Sequence, residues 1–340
     1  MAPNIPKSAR AVVITEPGAP WAIQDVPVPT PQPGEVLIKV EACGVCHSDN
    51  LIKLGHMGTY PRIPGHETIG KVVAVGPGEK KWKEGDRVGG AWHGGHDGSC
   101  KSCGRGMYQA CDNATVNGIF RDGGYAEYTT IRSEAAVRIP ADVPAAEYAP
   151  LLCAGVTVFN GIRKMGIVPG DIVAIQGLGG LGHLALQYSR KMGYRTVAIS
   201  SSDSKREFAK ELGANDYIDT SKEDAAEALQ KIGGASLIVV TAPNPKIMGP
   251  MAKGLATLGK LLILAPIGEV PVDTITLIGK GASVHGWPSG HALDSEEAIA
   301  FAQNMGVNCM VEKFPFEKVE EAVEHMLSGK VRFRSVLVME

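Results

Sequence analysis

The chain has 340 residues, enough for two domains with cores of their own, and its 44% apolar and 21% charged residues are ordinary for a globular protein. A formal net charge of -2 gives no electrostatic reason to expect nucleic acid or an anionic membrane as partner. No apolar run is long enough to span a bilayer and residues 1–10 lack the apolar centre of a secretion signal, so the expected compartment is the cytosol. Seven cysteines in that compartment argue for metal ligands or free thiols over disulfides.

Residues 8–42 read as strands broken by prolines. Ala11 to Ile14 and Glu35 to Val40 are rich in β-branched residues and bounded by turn signals. Between them Pro27, Pro29, Pro31 and Pro33 rule out a helix and predict an extended surface connection. Further short strands are expected at Gly70 to Gly76, Asp86 to Val88 and Tyr125 to Ile131, giving an antiparallel, barrel-like domain up to about residue 155. The rhythm then changes. Strands at 171–176, 196–199, 236–240, 260–264 and 282–286 alternate with helical stretches, the pattern of a doubly wound parallel sheet. The tail predicts helices at 295–305 and 316–327 and a last strand at 335–338. The fold class is therefore α/β together with a mainly-β part.

Three groups of residues carry chemistry. Cys46, in Cys43-Gly44-Val45-Cys46-His47-Ser48-Asp49, together with His66 and Cys153 would give zinc two thiolates and an imidazole, with the fourth position open as in catalytic sites. Sequence distance sets no spacing rule for these three, so unrelated residues are the competing reading; Cys43 and Cys309 are expected to be structural thiols. The run Asp97-x2-Cys100-x2-Cys103-x7-Cys111 has the tight spacing of a structural zinc lobe, with His96 or His93 as alternatives to Asp97 for the first ligand.

The third group is Gly177-Leu178-Gly179-Gly180-Leu181-Gly182, a GxGxxG loop between a predicted strand and helix, the context a dinucleotide pyrophosphate requires. Gly177 would make the tight turn, Gly179 the close approach, and Gly182 the helix–strand packing. Eighteen residues after Gly182 comes Ser200-Ser201-Ser202-Asp203-Ser204-Lys205-Arg206, where an NAD enzyme would place a carboxylate on the ribose. Hydroxyls with Lys205 and Arg206 suit a 2′-phosphate, so NADP(H) is expected over NAD(H), Asp203 being the alternative ribose contact.

With these pieces in place, the chain closely resembles the zinc-dependent medium-chain alcohol dehydrogenases. The resemblance runs nearly end to end, through CGVCHSD, Gly65-His66-Glu67, Gly85-Asp86-Arg87-Val88-Gly89, the cysteine lobe, Gly123 to Tyr128, Cys153 to Thr157 and the glycine loop. Among subgroups it is similar to the yeast-type and cinnamyl-alcohol-dehydrogenase-like enzymes, and Val197 to Ser202 with Lys205 is similar to the NADP-binding stretch of the latter.

The resemblance implies a GroES-like barrel catalytic domain from residues 1–155 and 288–340, with a zinc lobe at about 93–112, and a Rossmann dinucleotide-binding domain from 156–287. It implies two zinc ions per chain. Cys46, His66 and Cys153 would hold the catalytic ion with Glu67 close behind, and Asp97, Cys100, Cys103 and Cys111 the structural one. Asp49 would orient His66, and Ser48 would take the alcohol proton. His47 and Arg334 would contact the pyrophosphate, with Gly180 and Leu181 in the same loop, and Thr157 would lie by the nicotinamide. Trp92 and Met57 would line the substrate pocket.

Three departures from the family stand out: Asp97 stands where many relatives have cysteine, Leu51 occupies the place of the histidine that often ends the proton relay, and Met57 replaces a tryptophan of yeast-type enzymes. The implied activity is hydride transfer between NADP(H) and a primary alcohol/aldehyde pair. The alternative is a secondary-alcohol or polyol dehydrogenase using NAD(H). A homo-oligomer, tetramer or dimer, is implied.

Overall fold

The computed structural model describes residues 5–242, 249–266 and 268–339. The chain divides into two compact units. One comprises Met1–Val156, Gly290–Ala300 and Cys309–Glu340; the other comprises Thr157–Ser289 and Phe301–Asn308.

The first unit opens with a hairpin of β1 (Ser8–Val13) and β2 (Ala22–Pro27), paired antiparallel from Ser8 opposite Pro27 to Val13 opposite Ala22. β2 has no buried residue, so it shows no apolar alternation, and it ends at the first of the four closely spaced prolines. The main sheet is built on β3 (Glu35–Gly44), β4 (Thr68–Val75) and β5 (Arg87–Gly90). β6 (His93–Gly95) and β7 (Thr115–Val116) form a separate small ribbon. β8 (Tyr128–Arg132) pairs with β3, and β9 (Ala136–Arg138) pairs with β5. The expected strand at Tyr125 begins only at Tyr128. Tyr125 itself is fully buried, its side chain turned into the core.

In the second unit, β10 (Ile172–Gln176), β11 (Arg195–Ser200), β12 (Asp216–Asp219), β13 (Ala235–Val240), β14 (Leu255–Ile263) and β15 (Ser283–Gly286) form one parallel sheet in the order β12-β11-β10-β13-β14-β15. This doubly wound order reverses direction between β10 and β13, where such sheets bind ligands at the strand carboxyl ends. Ile175, Val197, Ile199, Ile238 and Val240 are buried, and the strands read as apolar runs because helices cover a parallel sheet on both faces. β12 was not predicted; four residues are too few to show a period.

The chain closes with β16 (Val311–Pro315) and β17 (Arg334–Val338) in the first unit. They complete a sheet in the order β16-β17-β3-β4-β5-β9, packed on a core that includes Val36, Ile38, Val72, Tyr125, Ile131, Phe316 and Leu337. The predicted helix at 316–327 starts as a 3-10 turn, Phe316–Lys318, and becomes α-helical from Val319 to Leu327. Among the described residues no single helix is long and apolar enough to cross a membrane.

Candidate active site

Strand pairing assembles the first cluster. β3 and β4 run antiparallel with Cys43 opposite Thr68, and the Gly44 N–H donates to the Glu67 carbonyl at 3.0 Å. That register sets Cys46, just after β3, beside His66 and Glu67, just before β4. A Cβ on Gly44 would lie 1.9 Å from Glu67 Oε2, so glycine is what leaves room for the carboxylate. Cys46 caps the helix His47–Lys53, and its N–H donates to Asp49 Oδ2 at 2.9 Å, fixing the start of that helix. Cys153 follows the 3-10 turn Ala149–Leu152.

Ligand atoms of Cys46, His66, Glu67 and Cys153 all lie within 4.8 Å of one another, and the two sulfurs are 4.0 Å apart. Two sulfurs on one tetrahedral zinc are separated by about 3.8 Å, given Zn–S bonds of about 2.3 Å. His66 and Glu67 are fully buried, yet His66 Nε2 and Glu67 Oε2 have no hydrogen-bond partner among the described residues. Buried polar atoms are rarely left so, because an unmade hydrogen bond costs the full desolvation of the group. A metal ion would satisfy both atoms, and the donor set of sulfur, nitrogen and carboxylate oxygen fits zinc.

The four groups perturb one another strongly, and Cys46 is the one favoured as a thiolate. The hydrogen bond from Cys153 holds the Cys46 thiol well below its ordinary range, against burial and with help from nearby His66. The same bond and burial push Cys153 up. Burial opposes protonation of His66, but Asp49 and the Cys46 thiolate overcome it. Glu67 is pushed up to about 7 by burial, partly offset by Arg334, whose Nη2 donates to Glu67 Oε1.

Asp49 is fully buried behind His66. Its Oδ1 lies 3.1 Å from His66 Nδ1, and its Oδ2 accepts from Tyr125 Oη at 2.9 Å. Trp92 meets the His66 ring edge to face, with centroids 4.9 Å apart. Ser48 Oγ is 3.8 Å from Cys46 Sγ and half-buried, Met57 is half-buried, and His47 is exposed. Cys43 and Cys309 are free, and burial pushes both thiols up.

The second cluster is the cysteine lobe. Sγ atoms of Cys100, Cys103 and Cys111 lie within 4.8 Å of one another. Cys100 caps the short helix Lys101–Gly104 and accepts from the Cys103 N–H at 3.5 Å. Backbone N–H donors from Asp112 and Cys103 lower the Cys100 thiol to about 7, while burial raises Cys103 to about 11. Asp97 Oδ1 is 3.4 Å from Cys111 Sγ, and Asp97 is held below the usual carboxylate range by the Ser99 N–H and Asn113. The two candidate histidines face each other instead. His96 Nδ1 is 3.3 Å from His93 Nε2, and the His96 ring stacks on Tyr108.

In the second unit the glycine loop follows β10 and opens the helix Gly182–Lys191. Gly177 has φ +91°, and a Cβ there would meet Ala242 Cβ at 2.6 Å. A Cβ on Gly182 would lie 1.9 Å from the Gly177 carbonyl oxygen, whereas one on Gly179 would meet none of the described residues within 4 Å. The loop is thus tight where helix and strand pack and open where a pyrophosphate would approach. Ser200 ends β11, with Ser201 and Ser202 exposed after it. Lys205 Nζ donates to the Leu178 carbonyl at 2.9 Å, tying that turn to the glycine loop. Thr157 Oγ1 donates to Ser289 Oγ at 2.9 Å. The roles of Tyr125 behind Asp49 and of Arg334 against Glu67 have no signal in a single sequence, since 76 and 267 residues separate the partners.

Residues 32–141 match the family model described as alcohol dehydrogenase GroES-like domain, and residues 180–304 match zinc-binding dehydrogenase. The alcohol dehydrogenase patD of Penicillium expansum is 58% identical over the whole of both chains. Among solved structures, a cinnamyl alcohol dehydrogenase from Sorghum bicolor is 29% identical with a TM-score of 0.88, covering 98% of each chain. The acetophenone reductase from Geotrichum candidum, solved in complex with NAD, is 28% identical with a TM-score of 0.87, over 99% of this chain and 98% of that one. The two folds are accordingly the GroES-like and Rossmann folds expected from the sequence. The chain belongs to the zinc-type medium-chain alcohol dehydrogenases, and its activity is that of an alcohol dehydrogenase.

Proposed function

We propose that this chain is a zinc-dependent alcohol dehydrogenase that interconverts a primary alcohol and its aldehyde with NADP(H) in preference to NAD(H). The observation that carries the zinc chemistry is the buried Cys46, His66, Glu67 and Cys153 group with its unpartnered His66 Nε2 and Glu67 Oε2. Zinc, when bound there, would supply a Lewis acid for the substrate oxygen, and NADP(H) would supply or accept the hydride. Cys46, His66 and Cys153 would hold the metal, and Asp49 would orient His66 through Nδ1. Ser48 Oγ would carry the alcohol proton, with Leu51 offering no onward acceptor. Trp92, against His66, and Met57 would border the substrate. A second zinc would belong to Cys100, Cys103 and Cys111, with Asp97 as the fourth ligand.

For NADP(H), support comes from the turn after β11. It offers Ser200, Ser201 and Ser202 beside Lys205, and its one carboxylate, Asp203, is already engaged by Arg206 and Lys222. The glycine loop, including Gly180 and Leu181, would hold the pyrophosphate, and Thr157 would lie by the nicotinamide. A homo-oligomer draws support from edge strand β15, where Val284 is exposed, with exposed Leu258, Ile275 and Ile278 in the same unit. A second reading, a secondary-alcohol dehydrogenase using NAD(H), is favoured by the likeness to the acetophenone reductase solved with NAD.

Initial rates of NADPH and NADH oxidation with benzaldehyde and with acetophenone separate the two readings. The proposal expects NADPH with the aldehyde to be fastest. Faster turnover with NADH and the ketone would replace it with the second reading.

A further inference from the structure

Five charged side chains gather at the carboxyl ends of β11 and β12: Asp203, Lys205, Arg206, Asp219 and Lys222. Asp203 Oδ1 accepts from Arg206 Nε at 2.6 Å, and Oδ2 accepts from Lys222 Nζ at 3.1 Å. Lys222 Nζ also lies 3.6 Å from Oδ2 of the buried Asp219. The two cations differ in freedom. Arg206 is pinned, its guanidinium 4.6 Å over the Tyr217 ring and hydrogen-bonded to the Tyr217 carbonyl. Lys222 is a long side chain, 61% exposed, reaching back from the loop after β12.

The charge balance follows. Three cations and two carboxylates belong to this turn and the loop after β12, a formal +1, and Lys205 points to the Leu178 carbonyl rather than to either carboxylate. Without Lys222 the balance is zero, and one oxygen of Asp203 is left unpaired towards any incoming anion. A 2′-phosphate is a dianion near neutral pH, whereas a 2′-hydroxyl is neutral and indifferent to that change.

We propose that Lys222 is a cofactor-selecting residue: by cancelling Asp203 and Asp219 it lets the Ser200–Lys205 turn accept the 2′-phosphate of NADP(H). The proposal rests on the NADP(H) reading above and adds to it a residue outside the turn. Asp203 has the opposite sign of effect, since its carboxylate competes with the phosphate for the same two cations.

The test is the dissociation constants of NADPH, NADH and adenosine 2′,5′-bisphosphate, measured by titration calorimetry on wild type, Lys222→Met, Asp203→Asn and the double variant. Lys222→Met should weaken NADPH and the bisphosphate by about three- to tenfold, as expected for a solvent-screened charge acting on a dianion, and move NADH by less than about twofold. Asp203→Asn should tighten NADPH, and the double variant should return close to wild type because its formal balance is again +1. Circular dichroism on each variant guards against misfolding. An unchanged NADPH-to-NADH ratio in Lys222→Met overturns the role of Lys222, whatever the wild-type ratio is. A wild-type ratio in favour of NADH overturns the NADP(H) reading.

Discussion

Asp49 and His66 are both fully buried and meet at 3.1 Å, carboxylate oxygen to Nδ1, so Nε2 is the histidine nitrogen left for another partner. Asp49 spends its other oxygen on two donors, the Cys46 N–H and Tyr125 Oη. One carboxylate therefore sets the position of Cys46 and the orientation of His66, two of the residues proposed as zinc ligands. Replacing Asp49 by Asn should weaken zinc binding about 10–100-fold, the usual cost of losing such a partner. Tyr125→Phe removes a single donor to Asp49 and should cost about 1–3 kcal/mol of stability with a smaller loss of zinc. Competition with a chromophoric chelator reads both effects.

The cysteine lobe predicts a second, independent metal. Cys103→Ser should lower zinc from two ions per chain to one and reduce the melting temperature. Asp97→Asn should release the lobe zinc to chelators faster than wild type, whereas His96→Ala should not, because Asp97 rather than His96 lies beside Cys111. Metal analysis after timed chelation distinguishes the two variants.

His93 gives a pH dependence whose sign is fixed. Burial, then the positive neighbours His96, His291 and Arg132, lower it from 6.5 to about 3. Between those values the unfolded chain binds a proton that the folded chain refuses, so stability rises with pH through this window and is lost as pH falls from 6.5 towards 3. Denaturant titrations of wild type and His93→Gln should show the variant gaining relative stability as the pH is lowered through that window. A constant difference would contradict it.

Gly182→Ala should fail for a steric reason. The added Cβ would meet the Gly177 carbonyl at 1.9 Å, and backbone on both sides cannot yield as a flexible side chain would. A loss of about 1–3 kcal/mol is expected, with weakened dinucleotide binding. Gly179→Ala meets no described residue within 4 Å and should keep the fold while impairing dinucleotide binding alone. Denaturation midpoints and cofactor titrations separate these outcomes.

What was legible in the sequence had a local code. The glycine loop announced itself because turn, close approach and helix packing each demand glycine at fixed steps, and the cysteine lobe because its three sulfurs lie within one short loop. The parallel strands were readable because burial on both faces makes continuous apolar runs. Cys46, His66 and Cys153 were another matter: β3–β4 pairing and a 3-10 turn bring them together, and no spacing rule records that. Tyr125 behind Asp49, Arg334 against Glu67 and Lys222 against Asp203 were illegible for the same reason, each being a contact between distant strands or loops. β2 and β12 escaped because one buries no residue and the other is only four residues long.

The measurement that bears most directly on the whole account is zinc content together with NADPH-dependent aldehyde reduction in Cys46→Ala. In this variant zinc should fall from two ions per chain to one and turnover should be abolished, while NADPH binding persists, since the glycine loop lies in the other unit. Retention of two zinc ions, or of appreciable turnover with one, would contradict the assignment of Cys46, His66 and Cys153 as the catalytic metal site.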